Sequence, residues 1–175
     1  MAKAWLSLAS ASLLLLAVHP SVMWYEMAYR LEQGETDVVT ERMNAFYYIK
    51  KKPNTAPELV FLLNKCTPPA SWTNEHDCCD FQIAHQVSIG GAIVCSLVYC
   101  FRVYFTATPE RELQPVLWIA MLAETLALLL VNYGARCYAS TAEESNVQIE
   151  FSLLYGITVL LVAMCCQVFQ AAYTT

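Results

Sequence analysis

Residues 116–135, VLWIAMLAETLALLLVNYGA, decide the class of this chain. The whole run carries one formal charge, Glu124, close to its middle. A helix needs roughly 20 mostly apolar residues to cross about 30 Å of hydrocarbon, so the run reads as a membrane span, the third of four. The first runs from Trp5 to Trp24 without a charge, around Leu13, Leu14, Leu15 and Leu16. The second runs from about Ile83 to Phe105, and its only charge, Arg102, lies near one end, where a long side chain snorkels to the interface. The fourth runs from Phe151 to about Phe169 and is polar only near its end, at Gln167. Trp5, Trp24, Tyr25, Tyr104, Trp118, Tyr133 and Phe151 stand near the ends, as in an interfacial aromatic belt.

Composition agrees. The chain has 175 residues, 57% hydrophobic and 14% charged, where a soluble domain carries roughly 25% charged residues. That length allows one domain, residues 1–175. A net charge of −5 argues against a nucleic-acid partner, because phosphate binding requires clustered Lys and Arg. The one basic cluster, Lys50-Lys51-Lys52, sits among acidic residues and reads as a solvated helix end. Lys3 before an apolar stretch also fits a signal peptide, but the stretch is long and no clear small-residue cleavage site follows, so a retained helix is expected.

The connections are unequal: about 58 residues (25–82), then about ten (106–115), then about fifteen (136–150). Loops one and three therefore share one side of the membrane. Loop one reads as structured and mostly helical. Glu26 to Gln33 extends the first span before Gly34, Asp37 to Lys51 has acids early and lysines last, and Pro57 to Lys65 starts on a proline. The expected fold is all-α, a four-helix transmembrane bundle with a helical first loop. Six Lys and Arg in loop one favour the inside, but that loop carries nine acids and is near the length where the positive-inside rule weakens. The cysteines tip the expectation towards the outside.

Of eight cysteines, Cys95, Cys100, Cys165 and Cys166 fall in spans, where a thiol behaves as a small apolar group. Cys66, Cys78, Cys79 and Cys137 fall in loops one and three and are the disulfide candidates. A vicinal Cys78–Cys79 bond is strained, which leaves Cys66 with one of that pair and Cys137 with the other on an oxidising side. A zinc site from His76, Cys78, Cys79, Asp80 and His85 is disfavoured because adjacent thiolates fit a tetrahedral metal badly, and no metal is expected.

Glu124 is the most informative residue. An ionised carboxylate costs several kcal/mol at mid-membrane, so it is expected to be neutral, bonded to another helix, or facing a polar cavity. Helix glue is the bland reading, and proton or ion passage the sharper one. His19 and His85, near the loop-one ends of spans one and two, form a candidate haem pair. With only three histidines, and with Pro20 after His19 marking a helix end, no cofactor is expected beyond lipid contacts. Gly90, Gly91 and Ala92 point to close helix packing in span two. No nucleophile elbow, P-loop, dinucleotide fingerprint, zinc-protease motif or glycosylation sequon is present.

Four spans with a long cysteine-bearing first loop, a short second and a modest third resemble the claudin/PMP22-like tetraspan superfamily, which includes channel auxiliary subunits. His19-Pro20 followed by Trp24 is similar to the Pro and Trp that close its first span. Phe61-Leu62-Leu63-Asn64-Lys65-Cys66 lies where the family writes G-L-W-x-x-C, with Gly and Trp replaced, and Cys78 or Cys79 takes the place of the partner cysteine. Tyr133 to Ala139, then Phe151-Ser152, resemble the end of its third span and the start of its fourth. The family folds its first loop as a small β-sheet, from which the helical reading departs. The resemblance implies a non-enzymatic auxiliary or structural subunit whose partners are other membrane proteins and the lipid bilayer. The alternatives are an accessory subunit of a mitochondrial inner-membrane respiratory or ATP-synthase complex, and a haem- or proton-handling anchor. Localisation is accordingly the plasma membrane or the mitochondrial inner membrane.

Overall fold

In a computed structural model of the chain, residues 2–30, 38–51, 55–61, 75–106, 110–144 and 149–174 are described. Among them are four helices: α1 (Ala2–Ala17), α2 (Glu75–Phe105), α3 (Glu110–Glu144) and α4 (Tyr155–Thr174). Stretches of α2, α3 and α4 (Ile83–Phe105, Arg111–Val131 and Tyr155–Ala172) are long and apolar enough to cross a membrane. This is the pattern of an integral membrane protein. Helix α1 is apolar but shorter, 16 residues or about 24 Å. The span expected to reach Trp24 ends as helix at Ala17, just ahead of Pro20, whose missing N–H cannot continue the ladder.

The four helices share one pattern. Their buried positions are Ser7, Ser10, Ala11, Leu14 and Ala17 on α1, and His85, Gln86, Ser88, Ile89, Ala92, Ser96 and Tyr99 on α2. On α3 they are Leu113, Leu117, Ala120, Glu124, Ala127 and Val131, and on α4 Leu160, Ala163, Gln167, Gln170 and Ala171. The spacing of three and four keeps each stripe on one helix face. The stripes hold small and polar residues, while Leu15, Val94, Phe101, Ile119, Leu122, Leu129, Val162 and Phe169 point outward. Large apolar groups outside and small or polar ones between helices suit lipid, where close approach and hydrogen bonds hold helices together. Helix α2 runs along α3 and α1 along α4, with further contacts between α1 and α2 and between α3 and α4. Gly90 and Gly91 face open space, so within this chain the expected close packing in span two falls to Ala92 alone.

The helical expectation for loop one is overturned. Where helices were expected over 26–33, 37–51 and 57–65, the described residues form β1 (Tyr25–Arg30), β2 (Val38–Met43), β3 (Tyr47–Lys51) and β4 (Glu58–Phe61), residues 31–37, 52–54 and 62–65 lying outside the described ones; β5 (Ile149–Leu153) comes from between α3 and α4. They make one antiparallel sheet in the order β4-β3-β2-β1-β5. The reason is a period of two. Tyr25 and Met27 are buried while Glu26 and Ala28 are less so, and Val39, Glu41 and Met43 are buried while Thr40 and Arg42 are not. Tyr, Val, Ile and Thr supply the residues that suit a pleated, half-buried surface. The charge gradient from Asp37 to Lys51 spreads over two strands and a turn instead of one helix.

The β2–β3 turn is closed by Asn44, whose N–H bonds the Tyr47 carbonyl at 2.9 Å. Its Oδ1 accepts from the N–H groups of Phe46 and Tyr47 at 2.9 and 2.8 Å, a side chain standing in for a backbone turn. On the outward face Glu26 lies opposite Arg42 in register, and the two form an ion pair. The inward face meets the helices in one apolar cluster that includes Leu14, Ala17, Trp24, Tyr25, Met27, Met43, Ile89, Val131 and Leu160.

Candidate functional sites

Two polar arrangements stand out, one where the sheet meets the helices and one between the helices. The first is centred on Trp24, which is fully buried. Its Nε1–H donates to the Ala17 carbonyl at 2.6 Å, satisfying an acceptor that the end of α1 leaves without a helical partner. Its own N–H bonds the Met43 carbonyl and its carbonyl accepts from Leu154 N–H, both at 2.8 Å. One residue thereby joins α1, β2 and the chain entering α4. His85 of α2 stands edge-on to the indole, with ring centroids 4.7 Å apart. Asn44 completes the joint: Nδ2 donates to the carbonyls of His19 and Val22 at 3.0 and 2.9 Å. From α4, Tyr155 donates its hydroxyl to the Ser21 carbonyl, and Gly156 N–H bonds the Met23 carbonyl at 3.2 Å. Residues 18–24 are thus held from four sides.

The histidines named as a haem pair sit in unlike surroundings. The His19 ring is exposed and its Nδ1 lies 2.7 Å from Ser21 Oγ. The His85 ring is buried against Trp24, and its Nε2 has no hydrogen-bond partner among the described residues. The joint ties residues 18–24 to the sheet and the helices, with the His19 ring and the Ser21 hydroxyl on its exposed side.

The second arrangement lies between the helices. Ser96 on α2, Glu124 on α3 and Gln167 on α4 are all buried in the inward stripes. Gln167 Nε2 donates to Ser96 Oγ at 3.1 Å. Gln167 also lies beside the Glu124 carboxyl, with the Cys166 thiol close to the same group. Apart from the Gln167 amide beside them, the Glu124 oxygens have no hydrogen-bond partner among the described residues, and Gln167 Oε1 has none. Along each helix these residues fall between the apolar cluster under the sheet and a second one of Tyr99, Leu113, Leu117 and Ala171. The polar node is therefore sandwiched between two dry layers.

Among the disulfide candidates, Cys66 lies outside the described residues. Cys78 and Cys79 lie in the first turns of α2 and Cys137 in the extension of α3, so helix replaces the loops expected at all three positions. Cys95, Cys100, Cys165 and Cys166 are free thiols, as expected within spans. No group of three or more His, Cys, Asp and Glu among the described residues has the arrangement of a metal site. Sequence reasoning singles out Glu124 but misses Asn44, Ser96 and Gly156 and does not pair Gln167 with Glu124. Ser96 and Gln167 are polar residues inside apolar runs, a signal that by itself marks them as inward-facing.

No protein-family model and no curated protein matches this chain.

Proposed function

We propose that this chain is a non-enzymatic tetraspan of the claudin-like kind, packing as an auxiliary or structural subunit in a larger membrane complex. The observation that carries the reading is the sheet. Four strands from loop one and one from between α3 and α4, over the expected start of the fourth span, stand together on the helices, and a small β-sheet in the first loop is what the resembling family folds there. In this reading α1 is the fourth crossing, its helix prolonged towards the headgroups by the clamped residues 18–24, and the sheet stands on the outer side. Further support comes from the rigidity of the joint, which presents the sheet as a fixed platform for a partner.

A mitochondrial accessory subunit drew part of its support from three short helices in loop one. The described residues of those segments are strands, which removes that part. The test is gentle detergent extraction, native-gel separation and mass spectrometry of whatever travels with the chain. Co-migration with a channel, a receptor or copies of itself is the expected result. Co-migration with respiratory or ATP-synthase subunits would overturn the proposal.

A further inference from the structure

We propose that the seam between α1 and α4 is hydrated over the half of the bundle away from the sheet, and that water reaches Glu124 through it from that side only. Nothing in this depends on the function proposed for the sheet.

A hydroxyl buried in a helix ordinarily bonds the carbonyl four residues back, as Ser88 does to Ala84 and Thr125 to Met121, both at 2.8 Å. On α1, Ser7 and Ser10 are each 2% exposed, and neither hydroxyl has a partner among the described residues. On α4, the fully buried Gln167 has its Oε1 in the same condition. Helices α1 and α4 pack along one another, so these groups share a seam. Water suits them as a ligand. It both donates and accepts, brings no charge into a low-dielectric interior, and settles where buried polar groups lack protein partners.

The groups also share a depth. Ser7, Ser96, Glu124 and Gln167 each lie seven residues from a member of the apolar cluster under the sheet, namely Leu14, Ile89, Val131 and Leu160. Seven residues of helix span about 10 Å, so one polar residue from every helix falls in the same layer. Gln167 connects the seam to the carboxyl, because its amide lies beside Glu124 and donates to Ser96.

The seam is open in one direction only. Towards the sheet it is closed by Leu14 and Leu160, both fully buried in the apolar cluster. Away from the sheet its buried side chains are Ser7, Ser10 and Ala11 on α1 and Ala163, Gln167 and Gln170 on α4, all small or polar. Among the described residues, no large apolar side chain of either helix is buried in that half. The second apolar cluster fills the α2–α3 side instead, with Tyr99, Leu113 and Leu117. Polar groups inside a span that face the bundle interior are the kind that line water-filled paths.

The test places single cysteines along the seam of the full-length chain in lipid vesicles and exposes each membrane face in turn to a small, impermeant, cationic methanethiosulfonate. Modification is read at the introduced residue by peptide mass spectrometry, so the native cysteines stay in place. Ser7→Cys and Ser10→Cys should react at least about tenfold faster than Leu14→Cys and Leu117→Cys, because only a thiolate in contact with water attacks the reagent readily. They should do so from the face opposite the sheet alone, and Glu124→Cys should react from that same face. If one seam variant does not fold, the other and Ala11→Cys carry the test. Silence of the seam variants, reaction from the sheet face, or equal reaction at Leu14→Cys overturns the hydrated seam. Reaction at Ser7→Cys with none at Glu124→Cys overturns its connection to the carboxyl.

Discussion

A methyl group placed on Gly156 would sit 2.5 Å from Trp24 Cδ1 and 2.6 Å from the Met23 carbonyl oxygen. The first turn of α4 and the keystone of the sheet joint are therefore in contact with no room for a side chain. Gly→Ala in a helix is ordinarily favourable by up to about 1 kcal/mol. Here the clash reverses the sign, because one obstacle is backbone and the other is a fully buried indole. Gly156→Ala should destabilise the protein by about 1–3 kcal/mol, read as a lower midpoint of thermal unfolding in detergent. An unchanged or raised midpoint would show that the joint is looser than its contacts imply.

Asn44 makes four side-chain hydrogen bonds, to His19, Val22, Phe46 and Tyr47. Asn44→Ala leaves two backbone carbonyls and two N–H groups to find other partners, at a cost of at least about 2 kcal/mol. Amide hydrogen exchange should accelerate across β2 and β3 while α2 and α3 keep their protection. Uniform acceleration over the whole chain would mean that the sheet and the helices unfold as one unit.

Trp24→Phe keeps an aromatic ring against His85 but removes the Nε1–H that Ala17 accepts. A loss of roughly 1–2 kcal/mol is expected from the orphaned carbonyl, against roughly 3–5 kcal/mol for Trp24→Ala, which also opens a cavity. Chemical unfolding of the two variants side by side separates the hydrogen bond from the packing. Equal losses would show that the Ala17 bond contributes nothing measurable.

Glu124 and Gln167 are neighbours on α3 and α4, and their substitutions should not add. Gln167→Leu alone removes the amide that holds Ser96 and leaves the carboxyl with one polar neighbour fewer. Replacing both residues with Leu removes the demand along with the supply and should recover stability relative to the single variant. The coupling in a double-mutant cycle should reach about 0.5–3 kcal/mol, and strict additivity would separate the two side chains energetically.

The outer edge of the sheet tests the platform reading. Leu59 and Phe61 on β4 are 54% and 51% exposed, with Phe61 tilted against Tyr47 at a centroid distance of 5.2 Å. Leu59→Lys should leave the unfolding midpoint within error and lower recovery of the co-purifying partner roughly tenfold. Full recovery would move the contact surface elsewhere.

Much of this protein is legible in its amino-acid order. The spans are local: each is a property of its own roughly 20 residues, and burial in lipid favours them whatever the rest of the chain does. Glu124 is equally visible, because one charge in an apolar run conflicts with its solvent. Three of the four expected spans are helices of sufficient length, and the shortfall of α1 traces to Pro20, which ends the helix three residues earlier than its own position. Loop one misleads because its charges and end signals fit a helix segment by segment, while the alternation in Tyr25–Arg30 and Val38–Met43 becomes decisive only when strand partners are present.

What the sequence determined by itself, then, is the solvent: a chain with these apolar runs must place them in hydrocarbon and turn its small and polar stripes inward. The tertiary structure decided the rest. Tyr25 pairs with Leu153 across most of the chain, and Ser96, Glu124 and Gln167 meet from three helices far apart in sequence. Pairing of that kind depends on closing long loops, and its energy is shared among residues that carry no mark of one another. Hydrophobic burial adds up along the chain, whereas strand pairing and polar convergence exist only once distant segments have met.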